Sequence, residues 1–201
     1  MSSARRTNST RGAILEATAK LLGERGAGVA LEEIAQRAGV SRQTLYLHFG
    51  SRTGLMIATA QHIDEQGTLG RLVQDVFEAP TALDALDAIV TLHAQYYPVI
   101  YPVARLFMAG RYDDDALRIA WDDRMQSRYR LYRELVERLH RDGVLAAEWD
   151  VETATDILWS ITSWELWEQL TLGRGWSEAD YLSHLRAVLR RVLSLHGDPR
   201  P

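Results

Sequence analysis

No cysteine occurs anywhere in the 201 residues. That absence removes disulfide staples, thiolate catalysis and cysteine-ligated zinc together, and makes a reducing cytoplasm the expected compartment. No apolar run approaches the ~20 residues that a bilayer-spanning helix needs, so no membrane partner is expected. Met1 to Thr10 is polar, with Arg5 and Arg6 and no apolar centre, and is not read as a secretory signal. The six histidines (His48, His62, His93, His140, His184 and His196) are dispersed, with no HExxH pair. Asp113, Asp114 and Asp115 lack the spacing and the bidentate glutamate of a calcium loop. GxSxG, GxxxxGK[ST] and a GxGxxG following a strand are missing as well. With no ligand cluster, nucleophile elbow or phosphate cradle, neither an enzyme nor a resident metal or cofactor is expected.

Period-2 alternation is absent too, while helical spacing recurs along the chain. Ile14, Ala17, Thr18, Leu21 and Leu22 mark a first helix, ended by Gly26 and Gly28. Leu31, Ile34, Ala35 and Ala38 mark a second, stopped by Gly39. Ser41 can cap a short third helix, and Ser51 a fourth running from Arg52 towards Glu78, weakened at Gly67 and Gly70. Pro98 should end a helix begun at Thr81, leaving Val99 to Ala109 as a separate short one. The aspartates at 113–115 favour a helix start, continuing to about His140 and stopping at Gly143. Asp150 should open a helix through Leu172, and Ser177 a last one from Glu178 to His196. The expected fold is all-α, with about nine helices and no sheet.

Charge is unevenly spread. The chain carries a net −4, but residues 1–60 hold eight basic side chains against four acidic ones, so the head is +4 and the remainder −8. Such a split fits a polyanion-binding head on an acidic body. Within that head, LEEIAQRAGVSRQTLYLHF (residues 31–49) reads as helix, glycine turn and capped helix, the arrangement that lays a short helix in a duplex major groove ~12 Å wide. Ile34, Val40, Leu45 and Phe49 form an apolar seam, leaving Arg42, Gln43, Tyr46 and His48 as hydrogen-bonding groups on the other side. A solvated surface helix would show similar polar residues; the turn, seam and donor face coincide here.

Residues 10–56, and above all IAQRAGVSRQTLYLHFGSRTGL, resemble the N-terminal domain of the tetracycline-repressor (TetR) family of bacterial regulators. The resemblance covers about a quarter of the chain. It implies that Arg42, Gln43 and Tyr46 face the groove, that Ser41, Thr44, His48 and Arg52 contact phosphates, and that Phe49 is a buried structural aromatic. Arg5, Arg6 and Arg11 would track the backbone or enter the minor groove, unless the first two lie in a solvated tail. Two departures stand out: Val29-Ala30 replaces the usual Ser or Thr cap of the second helix, and Leu47 is apolar. Leu47 is expected to pack against its own domain, or otherwise to meet a thymine methyl.

A single short recognition helix makes few contacts, so the chain is expected to pair as a homodimer on a palindromic operator of double-stranded DNA. Residues 1–52 would form the DNA-binding domain and 53–201 an effector-binding and dimerisation domain. Ile161, Trp167, Leu182, Leu185, Leu189 and Val192 are the interface candidates, on helices apolar around much of their girth. His93, Tyr96, Tyr97, Phe107, Trp121, Met125, Trp159 and Trp164 are candidates for a pocket holding a small, largely apolar or aromatic effector, in place of plain core. The outcome is a cytoplasmic, ligand-responsive repressor. An all-helical enzyme, or a helical module whose head binds protein, is the reading set against it.

Overall fold

A computed structural model describes residues 2–194, with side chains from Thr7 onward. Arg5, Arg6 and His196, which carried expectations above, lie outside the described side chains. The described residues are helical, apart from connecting segments and one isolated bridge between Leu145 and Ser194. The chain divides into two compact units. One comprises residues 1–67 with 98–123, the other 68–97 with 124–201.

In the first unit, α1 (Ser2–Arg25) passes through a 3₁₀ turn at Gly26–Gly28 into α2 (Leu31–Ala38), α3 (Arg42–Phe49) and α4 (Arg52–Gln66). Helix α1 packs on α2 and α4, and α3 packs on both its neighbours. Ile14, Leu22, Ile34 and Leu45 are buried as the periodicity predicts, and Leu55 of α4 joins them in the core. Helix α2 begins without a side-chain cap, as Val29-Ala30 implied. The expected single helix from Arg52 to Glu78 is instead two, because the chain leaves helical geometry at Gly67 and resumes as α5 (Leu69–Glu78), which belongs to the second unit.

A second expectation is corrected at Pro98. Helix α6 (Ala82–Gly110) runs unbroken through Pro98 and Pro102. An interior proline costs roughly 3 kcal/mol through its lost hydrogen bond and ring clash. Here Tyr96, Tyr97, Ile100, Tyr101, Val103, Ala104 and Phe107 are all buried along that stretch, and at ~1.5–3 kcal/mol per large apolar side chain this burial outweighs the cost. Asp114 caps α7 (Asp115–Arg141), accepting from the Ala116 and Leu117 amides at 2.9 and 3.2 Å.

The helix expected from Asp150 to Leu172 is also interrupted. Helix α8 (Val151–Ile161) is capped by Asp150 and stops at Thr162; Ser163 caps α9 (Trp164–Glu168), and a π-turn follows at Gln169–Gly173. Helix α10 (Glu178–Leu193) opens on a full capping box between Ser177 and Asp180 and packs against α8 and the π-turn.

Candidate functional site

Three local devices hold α3 in place. Gly39, at φ +67°, makes the left-handed turn out of α2 that a β-carbon would strain. Ser41 Oγ accepts from the Thr44 amide at 3.1 Å, and Leu45 plugs the seam at 2% exposure. Behind α3, Gly54 is required because a β-carbon there would overlap the Phe49 carbonyl oxygen. Anchored this way, α3 leaves Ser41, Arg42, Gln43, Tyr46 and Leu47 exposed, with Thr44 and His48 half-buried. Ser41 and Thr44 share a hydroxyl contact of 2.9 Å.

Leu47 overturns its expectation. At 80% exposure it packs against nothing in its own domain. Phe49 is half-buried, with the Arg11 guanidinium 5.1 Å from its ring centre. Arg52 turns back to donate to the Ala27 carbonyl at 3.1 Å. The basic surplus of the head is partly answered from within: Arg25 pairs with Glu33 at 2.7 Å, Arg37 with Glu24 at 2.7 Å, and Arg42 with Glu32. Arg42 also donates to the Tyr46 hydroxyl at 3.2 Å. Farther along the same unit, the Thr53 hydroxyl donates to the Asp114 carboxylate at 2.6 Å. That bond, with the Leu117 amide, holds Asp114 below the ordinary carboxylate range.

The eight pocket candidates divide between the two units. Phe107 and Trp121 fall in the first unit, the former buried and the latter carrying the Arg111 guanidinium at 5.2 Å. The other six belong to the second. Met125 and Trp159, with Gln126, Tyr129 and Arg130, line a surface cleft of about 350 Å³. Tyr96 accepts from Arg124 at 2.6 Å. Tyr97 stacks on Trp164 at 3.9 Å and donates to the Thr162 carbonyl at 3.0 Å. His93 lies at 4.6 Å from the Tyr97 ring, and its Nε2 meets the Tyr132 hydroxyl at 2.6 Å. Burial, and secondly the Arg128 charge, hold the His93 imidazole well below its usual pKa, so it is neutral. Of the interface candidates, Trp167, Leu185 and Leu189 are buried within the chain itself, whereas Ile161, Leu182 and Val192 are half-buried.

With this geometry in view, residues 14–59 match the family described as bacterial regulatory proteins, tetR family. The N-terminal domain of this chain is a TetR-family domain. No curated protein matches the chain in sequence. Among solved structures, a transcriptional regulator from Saccharomonospora viridis in complex with choline superposes with a TM-score of 0.82 at 19% identity, over 94% of this chain and 100% of that one. A TetR-family regulator from Rhodococcus sp. gives 0.70 at 22% identity, over 93% and 100%. FadR of Bacillus subtilis, in complex with stearoyl-CoA, gives 0.68 at 17% identity, over 90% and 96%. At these identities the likeness is one of fold, and it extends beyond the TetR-family domain to nearly the whole chain.

Outside that domain, the group that residue reading missed is Arg128. Its Nε donates to Tyr132 at 2.7 Å, and its Nη2 to the Thr162 carbonyl, the Thr162 hydroxyl and the Trp159 carbonyl at 2.6, 3.0 and 3.1 Å. Those carbonyls end α8, where a cation meets the negative pole of the helix. The guanidinium also lies 4.3 Å from the Trp159 ring and 4.9 Å from Tyr132. Nothing local in the sequence marks these partners, which stand 31 and 34 residues away across the α7–α8 connection.

Proposed function

We propose that the chain is a cytoplasmic transcriptional repressor that binds a palindromic operator as a homodimer and leaves it when a small, largely apolar or aromatic effector binds. The observation that carries this reading is the presentation of α3. Its seam residue Leu45 is buried, while Gln43, Tyr46 and Leu47 stand outward from a capped helix start. Gln43 and Tyr46 offer donors and acceptors to base edges, and Leu47 offers an apolar surface to a thymine methyl. Ser41, Thr44, His48 and Arg52 flank them as phosphate contacts, and Arg42 joins Gln43 and Tyr46 at the groove by exchanging Glu32 for the duplex.

A half-site read by one eight-residue helix calls for a second copy. A residue covered by its own subunit adds no area to a partner, so the pairing surface falls on the outer faces of α8 and α10. Ile157, Ile161, Leu182 and Val192 are half-buried there, and Val188 is exposed. The effector reading draws on two solved relatives, one holding choline and the other stearoyl-CoA, and on the Met125–Trp159 cleft. An effector acts by favouring one separation of the two heads over another.

Selection of bound sequences from random duplex tests the operator reading. The enriched site should be an inverted repeat, and log affinity should fall steeply with log salt concentration. Tyr46→Ala and Gln43→Ala should relax base preference, whereas Arg52→Ala should weaken all sequences alike. A salt-independent interaction, or identical behaviour of the two kinds of variant, would refute the assignment.

A further inference from the structure

The second unit holds a positive charge, Arg128, among neutral polar groups. Thr162 Oγ is 2.5 Å from the Leu158 carbonyl, so its one proton points there. Tyr132 Oη accepts from Arg128 Nε and lies 2.6 Å from His93 Nε2. The other ring nitrogen, His93 Nδ1, is buried with no partner. The Tyr181 hydroxyl, on a residue 1% exposed, has no partner either. Arg128 spends Nε and Nη2 on neutral oxygens. No carboxylate pairs with Arg128 among the described residues. Arg128 thus carries a formal positive charge among neutral oxygens with no anion beside it, in a unit that also buries two unpartnered polar atoms, His93 Nδ1 and the Tyr181 hydroxyl.

We propose that the small molecule this unit takes carries an anionic, acceptor-only group, a carboxylate in its simplest form, which docks on Arg128. The inference rests on the effector reading above and names the class of ligand. Trp159 connects the charge to a volume: its ring bears the guanidinium and also lines the 350 Å³ cleft. Met125, one helical turn before Arg128, and Tyr129 line the same cleft. Arg130 is a fourth lining residue, bonded only to the Ser127 hydroxyl at 2.8 Å. An aromatic or aliphatic body would lie over Met125, Tyr129 and Trp159 with its acid directed to the guanidinium. A quaternary ammonium would meet like charge in that place.

Three probes of one shape decide it: 1-naphthaleneacetate, 1-naphthaleneacetamide and (1-naphthylmethyl)trimethylammonium, titrated calorimetrically into the full chain at neutral pH. The acid should bind at least tenfold more tightly than the amide, and the ammonium should bind most weakly. Arg128→Lys should keep the order and Arg128→Gln should erase it, with thermal unfolding run on each. Because Arg128 also holds the end of α8, the wild-type comparison stands as the test if Arg128→Gln fails to fold. Equal affinity for acid and amide, tighter binding of the ammonium, or no binding of any probe at millimolar concentration overturns the proposal. Salt-dependent duplex binding by the unliganded protein is read separately, so loss of the ligand class leaves the regulator reading standing.

Discussion

The two units treat arginine and tyrosine in opposite ways. In the first unit, Arg25, Arg37 and Arg42 lie on the surface opposite glutamates, and the Tyr46 hydroxyl is exposed beside Arg42. In the other, Arg128 meets only neutral oxygens, and the Tyr132 hydroxyl is buried at the centre of its bonds. Exposed pairs are weak and exchangeable, since water replaces either partner at little cost. A buried network has no such substitute, and each missing partner is felt in full. The first unit is therefore held by backbone devices at Gly39, Ser41 and Gly54, with its polar side chains available to a ligand. Long-range polar bonds hold the second together.

One chemical change made in both places sharpens that contrast. Tyr132→Phe strips the acceptor from Arg128 Nε and the hydroxyl partner from His93, and should destabilise the chain by about 3 kcal/mol. Tyr46→Phe, on the exposed helix face, should change stability by less than about 0.5 kcal/mol. Urea unfolding of the two variants measures both; similar losses would erase the distinction between the units.

Acid should act on the second unit. Unfolded, His93 takes up a proton below about pH 6.5; folded, burial and the Arg128 charge keep it neutral. The native state then binds fewer protons, so the stability held above pH 7 is lost as pH falls through 6 and 5. The loss approaches ~1.4 kcal/mol per pH unit from this one residue. His93→Gln should flatten that part of the profile. A profile identical to wild type would place the acid sensitivity elsewhere.

On the surface of the first unit, Glu32 pairs with the Arg42 guanidinium that the proposed duplex contact needs. Glu32→Gln should raise affinity for duplex about two- to fivefold at low salt, the range set by exposed ion pairs, and the gain should shrink as salt screens both contacts. Fluorescence anisotropy at two salt concentrations reads it. Weaker binding would mean that Glu32 positions Arg42 for the duplex.

The same contrast explains what was legible in the residues. Around α3 the determinants are local: Gly39, Ser41 and Leu45 lie within seven positions, and their spacing alone places turn, cap and seam. The caps at Asp150 and Ser177 were readable for that reason, and so was the stop after α7, where Gly143 takes φ +69°. Pro98 misled because its local penalty is answered by the burial of Tyr97, Ile100 and Tyr101, which helical spacing cannot reveal. The Thr162 break and the Arg128 network depend on residues from α6, α7, α8 and α10, and no window of sequence contains them. Leu47 differs again: its apolar character predicts packing against its own domain, and the fold leaves it exposed on α3.

The smallest effect returns to the departure at the start of α2. Ala30 has φ −79° and ψ 151°, close to the −80° and 156° of Ser41, which does cap its helix. The backbone there already has capping geometry and lacks only an oxygen to receive an amide. Ala30 is exposed, so a hydroxyl costs no packing. Ala30→Ser should therefore stabilise the first unit by about 0.5 kcal/mol, the low end for N-caps, seen as a small rise in the urea midpoint with an unchanged slope. Because α2 carries Glu32 and the seam residue Ile34, a firmer α2 should leave base preference untouched. A shift in preference would show that fraying of α2 is part of how α3 reads its site.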